Sequence, residues 1–396
     1  MSSQIWGHAD NEDITRASQL ILSGCNNLTE LKIASQNHEA PDSGAMGFEQ
    51  RIFATLRDNK INASLEQQMQ LKHLTLSGLN LAIFGAGHHR TTIDFSSLET
   101  LHILSCKKVH IFLDAVCRSK DPPRRLKKLT WHMTDLDEWR LRLNATMTRF
   151  EYLLRRQREL SDLAVIVNDR TRFPSVRDIV SRAKTLRVLS MMSTAHEATR
   201  VRFWMPRAVK EICDRCKGLV QLGLELHVEG LGRPWRSCVQ SIVFRRALDS
   251  ILQLEHLKAL DLGNFWAVRY EQNARIGYTP EYDFFCFKRE LREIAEVLFN
   301  ARHLEKPEKR FNLEVVGASY YTDAERTLDG QPEAEPDEFI PPRILLTRVE
   351  TGVAGKECRR AVPVNRCWTK KNLKDCDIFS SDDLYWSHAP TNGFPQ

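Results

Sequence analysis

No stretch of the chain stays apolar for the ~18 residues a membrane-crossing helix needs, so no spanning helix is expected. The opening residues, MSSQIWGHADNEDITRA, lack a basic run followed by an apolar core, so no secretory signal is expected either. Charge of one sign is not in excess: 57 Lys and Arg face 51 Asp and Glu, a net +6. That balance argues against a dedicated nucleic-acid binder, which gathers its bases in one domain. Also missing are a glycine-rich phosphate loop, a G-x-S-x-G nucleophile elbow and an H-E-x-x-H zinc helix. No catalytic residue, cofactor, resident metal, nucleic-acid partner or membrane partner is therefore expected. The ten cysteines are scattered rather than set in a disulfide framework, and several fall in apolar periodic stretches where a thiol packs as a small hydrophobe. The expectation is a soluble protein of the cytoplasm or nucleus.

What the chain has is one recurring phrase, L-x-x-L-x-apolar. It stands at residues 28–33 (LTELKI), 71–76 (LKHLTL), 98–103 (LETLHI), 126–131 (LKKLTW), 160–165 (LSDLAV), 186–191 (LRVLSM), 219–224 (LVQLGL) and 257–262 (LKALDL). A weaker ninth copy is read at 311–316 (FNLEVV). The last two apolar positions are two apart, which is strand spacing, so both point to one face while the residues between them point to the other. Between the phrases, residues 14–22, 109–117, 150–156, 176–183, 208–216, 242–252 and 287–299 carry apolar residues at helical spacing. Each unit thus reads as helix, turn and short strand.

Internal repetition of this kind points to an α/β solenoid in which each unit packs on its neighbours. The domain reading is an N-terminal extension at 1–13, the solenoid at 14–316, an acidic flexible loop at 317–342 and a C-terminal tail or cap at 343–396. Residues 35–47 and 81–92 read as loop insertions. Residues 265–283 read as an ordered aromatic ledge or lid. Residues 322–338 (TDAERTLDGQPEAEPDE) hold too few apolar side chains to offset their ordering entropy.

The phrase Leu98-x-x-Leu101-x-Ile103-x-x-Cys106-x-x-Val109 resembles the cysteine-containing leucine-rich repeat. Cys25 before Leu28 and Cys216 before Leu219 match that subtype's leading cysteine. The pattern is similar to the repeat half of F-box/leucine-rich-repeat proteins, in their irregular fungal form, over roughly 14–316. The resemblance implies a right-handed α/β horseshoe with irregular repeats and a capping tail. It also implies a substrate-receptor role in an SCF-type ubiquitin ligase. An F-box itself is not read, since the first helix is expected at about Ile14. The echo at 340–346 (IPPRILL) stands at the wrong end. A Skp1-type adaptor is a partner only if an F-box lies upstream.

On this reading the outward strand residues form a concave protein-binding face. They are Lys32, His73, Thr75, His102, Lys128, Thr130, His132, Asp162, Ser190, Gln221, Glu225 and Asp261. His73, His102 and His132 would run diagonally, but no carboxylate or cysteine joins them at a fixed spacing, so they read as solvated. Cys213-x-x-Cys216 ends a helix just before a strand phrase, and reads as packing. The basic runs at 124–128 (RRLKK) and 155–158 (RRQR) read as solvated helix ends and turns. Two alternatives to the interaction scaffold stand beside it. One is a zinc- or thiol-dependent enzyme or metal protein using Cys358, Cys367, Cys376 and His388. The other is an inert remnant of a repeat gene.

Overall fold

The computed structural model describes residues 2–7, 28–35, 69–86, 93–119, 122–133, 140–167, 172–193, 203–226, 237–263, 265–266, 280–302, 311–319, 343–353 and 356–364. The expected helix at 14–22, the insertion at 36–47 and the acidic run at 322–338 lie outside them. The chain divides into two compact units, Met1–Leu186 and Arg187–Gln396.

In the first unit, β1 (Ser2–Gly7), β2 (Glu30–Ser35), β4 (His73–Ser77), β6 (Thr100–Leu104), β7 (Lys128–His132) and β8 (Asp162–Val167) pair in that order, all parallel. A short parallel pair, β3 (Met69–Gln70) with β5 (Ile93–Asp94), lies apart from them. Parallel neighbours need a crossover. Here α1 (Val109–Arg118) links β6 to β7, α2 (Arg140–Arg156) links β7 to β8, and α3 (Val176–Val180) follows β8.

The leucine phrase explains the pairing. Leu31, Leu74, Leu101, Leu129 and Leu163 stand in register on successive strands, and Ile33, Leu76, Ile103, Trp131 and Val165 form the next row. None is more than 1% exposed. Fully burying such a side chain contributes about 1.5–3 kcal/mol, so the two rows dominate the unit's core. A one-residue slip would turn both rows to the opposite face, which fixes the register.

In the second unit, β9 (Val188–Ser193), β10 (Gln221–Leu224), β11 (Ala259–Asp261) and β12 (Val315–Ser319) pair in parallel. Their crossovers carry α4 (Pro206–Arg215), α5 (Ile242–Ile251) and α6 (Pro280–Asn300). Then β13 (Arg343–Val353) joins β12 antiparallel, and β14 (Lys356–Val364) joins β13 antiparallel. The register also moves the ninth phrase. Val316 stands opposite Leu260, so the motif begins at Leu313, two residues later than read from sequence.

These findings correct the expected leucine-rich-repeat solenoid. The second unit's sheet is mixed, since β13 runs antiparallel to both β12 and β14. The units do not repeat. The described α-helices run from 5 to 21 residues, and strand spacing is irregular, 43 residues from Leu31 to Leu74, 27 from Leu74 to Leu101 and 56 from Leu260 to Val316. Nor is there one open inner face, because β9 to β12 are buried on both sides apart from half-buried Ser193 and Ser319. The architecture is α/β, with parallel strands and their crossover helices, closed by an antiparallel ribbon.

Two local expectations also change. Leu81–Ala86, read as loop, is a 3-10 helix that sets Phe84 edge-on to Phe112 at 4.8 Å. Phe265 and Trp266, read as part of a ledge, are core side chains, and Trp266 Nε1 donates to buried Asp283 Oδ2 at 2.9 Å.

Candidate functional site

The first unit keeps a polar sheet face. Lys32, Thr75, His102 and Thr130 share one register row, and His73, Lys128 and Asp162 share another with Thr100. Thr75 is buried; Lys32, His73, His102, Lys128, Thr130 and Asp162 are half-buried. Lys128 Nζ sits 3.2 Å from Asp162 Oδ2 and Lys32 Nζ 3.5 Å from Glu30 Oε1, so adjacent charges neutralise one another. The three histidines fall on three different rows. Among the described residues no three His, Cys, Asp or Glu side chains gather as a metal would require.

His132 is not on an open surface. It is 4% exposed, and its Nδ1 shares a hydrogen bond with Ser105 Oγ at 3.1 Å. Ser105 N–H also donates to His132 O at 3.1 Å, and Ser105 holds φ 51°, a left-handed turn between β6 and α1. A hydroxyl beside an imidazole is the geometry of an activated nucleophile. Here both groups are buried and doubly linked, so the pair stitches the end of β6 to the end of β7. Sequence reasoning missed it, because residues 27 apart carry no local signal of contact.

The second unit removes the expected partner face. Val188, Ala259, Val315 and Leu345 pack together there as a buried cluster, with Val364 against it. Ser190 on β9, Gln221 on β10, Glu225 just after β10 and Asp261 on β11 are 7%, 2%, 2% and 0% exposed. Asp261 Oδ1 accepts from Gly263 N–H at 2.9 Å. Gly263 has φ +57°, and a Cβ there would overlap the Glu225 side chain, so only glycine fits this turn. The concave platform for a protein partner is therefore corrected. Where these strands were to meet a ligand, they are filled by the protein's own core.

The thiols divide in the same way. Cys106, Cys117, Cys213, Cys216, Cys238 and Cys286 are free and buried. Burial pushes the Cys117 thiol up to about 11 and Cys213 and Cys216 to about 12, with the neighbouring Cys216 adding to the effect on Cys213. Cys286 is also raised, chiefly by burial. A thiol is a nucleophile or ligand only as thiolate, so these groups are inert at neutral pH.

The fold places the backbone of Cys358. It lies on β14 opposite Thr351 of β13. The next residue pins the strand, since Asn300 Nδ2 donates to Arg359 O at 2.8 Å and Arg359 N–H donates to Asn300 Oδ1 at 3.0 Å. Arg359 Nη1 donates further to the carbonyls of Phe299 and Phe311. The end of α6 thus fixes the backbone beside Cys358. Cys367, Cys376 and His388 lie outside the described residues.

No family model matches the chain, and no curated protein matches it. The mixed sheet and the filled face overturn the resemblance to F-box/leucine-rich-repeat proteins and the substrate-receptor role and Skp1-type adaptor that it implied.

Proposed function

We propose that this chain is a non-catalytic zinc protein whose metal is held by Cys358, Cys367, Cys376 and His388. The observation that carries the reading is an evenly spaced run of thiols that starts on a pinned strand. Six of the ten cysteines are buried in the core. Three of the remaining four follow one another at nine-residue steps from the pinned strand β14, with His388 twelve residues on. Three thiolates and an imidazole make a closed tetrahedral set, which suits a structural rather than a hydrolytic zinc because no coordination position stays open for water. Cys358 on a paired strand supplies one ligand whose backbone is already ordered, which lowers the entropy cost of closing the site.

Free, unbridged cysteines suit a reducing compartment, and cytoplasm or nucleus is the location proposed. Among the described residues no helix is long and apolar enough to cross a membrane.

The test is metal analysis of the purified chain. One zinc per chain is expected, falling below one tenth in the double variant Cys367→Ser/Cys376→Ser and unchanged in Cys238→Ser. A zinc content far below one per chain in the unaltered protein, with supplied zinc in excess, would remove the reading.

A further inference from the structure

The net charge of +6 averages away a concentration of cations in the first unit. Residues 140–186 hold eleven Lys and Arg against five Asp and Glu, an excess of six in about one eighth of the chain. The fold gathers the basic residues further. The turns that enter β7 and β8 and the turn that follows α3 are stitched side by side at the strand-entry edge. Gln157 Nε2 donates to Pro123 O at 3.0 Å, and Ser161 N–H donates to Lys127 O at 2.9 Å. Arg182 donates to the carbonyls of Leu154 and Arg155, and Thr185 Oγ1 donates to Leu160 O at 2.7 Å.

Along this rim stand eight cations: Arg124, Arg125 and Lys127 on the first turn, Arg155, Arg156 and Arg158 on the second, Arg182 and Lys184 on the third. Three carboxylates answer them. Glu99 pairs with Lys127, and Asp178 with Arg155. Glu159 is the third. Among the described residues no carboxylate lies within ion-pair distance of Arg124, Arg125, Arg158 or Lys184, and all four are exposed.

Helix stabilisation does not account for them. Arg155 and Arg156 end α2, where a cation offsets the helix dipole. Arg124, Arg125, Arg158 and Lys184 lie beyond the helix ends. The cations are also close enough to oppose one another: burial and then the charge of Arg158 hold the Arg182 guanidinium below its usual range. An aromatic ring is set among them. Tyr152 is 39% exposed, with the Arg156 guanidinium 4.5 Å over its face.

We propose that this rim binds the phosphodiester backbone of single-stranded nucleic acid. Neighbouring strands advance ~4.8 Å each, so cations on adjacent turns form a continuous track for regularly spaced phosphates. Arginine, which supplies six of the eight cations, engages phosphate through two parallel N–H bonds. The exposed ring gives a base a stacking surface, a contact for which a carboxylate chain has no use. This proposal is independent of the zinc reading, since it rests on the other unit.

The test is fluorescence anisotropy of the full chain with a labelled 20-nucleotide poly(dT). With about five phosphates contacted, affinity is expected to fall about 100-fold between 50 and 200 mM salt, following a slope near −0.7 per contact. Arg124→Glu/Arg158→Glu should weaken binding at least tenfold and flatten the slope, while Arg207→Glu/Arg245→Glu, exposed on the second unit, should not. Tyr152→Ala should weaken binding several-fold. Absence of salt-dependent binding, or equal loss in both double variants, overturns the proposal. Competition by poly-glutamate as effective as by unlabelled poly(dT) at equal charge also overturns it, in favour of an acidic polypeptide. Thermal melts of each variant separate lost binding from lost folding.

Discussion

The two units use the same leucine phrase to opposite ends on one side of their strands. In the first, β8 alternates half-buried and buried residues along its whole length, the sign of a sheet with one core face and one polar face. In the second, β10 and β11 are buried at every position, as in a sheet covered on both sides. The outward residues follow suit. Lys128 in the first unit answers to Ala259 and Val315 in the second. The lesson is that the phrase specifies a strand and one buried row. Whether its other face stays open depends on residues between the leucines and on what the rest of the chain lays over them.

The sharpest way to break this comparison is to put one charge at the matching position in each unit. Val315→Asp would bury an unpaired carboxylate in the apolar cluster, a cost of several kcal/mol, so the second unit should lose its cooperative melt by circular dichroism. Lys128→Asp should leave the melt within a few degrees, because its site is half-exposed. Next in size is the anchoring of α3 to α2. Glu151 is 4% exposed, and Arg172 Nη2 donates to its Oε2 at 2.8 Å and Ser175 N–H to its Oε1 at 2.9 Å. Glu151→Ala is expected to cost the first unit about 2–3 kcal/mol, measured by urea unfolding, because a buried charged partner is removed from one side only. Smaller again is Asn300→Ala, which deletes both side-chain bonds to β14 and should cost about 1–2 kcal/mol while speeding amide exchange at Arg359.

Alkaline pH separates the units further. The folded state keeps the Cys213 and Cys216 thiols protonated up to about 12, whereas an ordinary thiol loses its proton near 9.0. Their contribution is therefore full below about pH 9 and declines as pH rises through the interval toward 12, since the unfolded chain releases those protons first. Unfolding midpoints of the second unit should fall from pH 8 to pH 10.5, and less steeply in Cys213→Ala/Cys216→Ala. The smallest effect is expected at the surface. Lys127→Ala breaks an exposed pair with Glu99 and should leave the unfolding midpoint unmoved.

Strands were legible in the sequence because two-residue periodicity is a local property. Helices were legible too, since residues 109–117 or 242–252 bury one stripe at 3.6-residue spacing. The mixed sheet was not. Residues 343–364 carry no leucine phrase, and the pairing of β13 with β12 is a long-range choice that leaves no mark on either strand alone. The role of the outward residues was also hidden, because Ser190 and Asp261 are as polar in letters as Thr130 and Lys128. Only the cluster of Val188, Ala259, Val315 and Leu345 distinguishes the two faces. Its members sit one per strand, each an unremarkable apolar residue between leucines. Thiol burial was half visible. Cys216 could be placed in the core by its position before Leu219, whereas the inertness of Cys117 and Cys286 follows from burial alone.

Alkylation of the native chain by a soluble maleimide, mapped by mass spectrometry with and without a zinc chelator, tests the division of the thiols most directly. Cys106, Cys117, Cys213, Cys216, Cys238 and Cys286 should stay unmodified in both conditions, while Cys358, Cys367 and Cys376 should react only once the chelator is added. Rapid labelling of the three C-terminal cysteines without chelator, or labelling of the six core cysteines ahead of them, would contradict it.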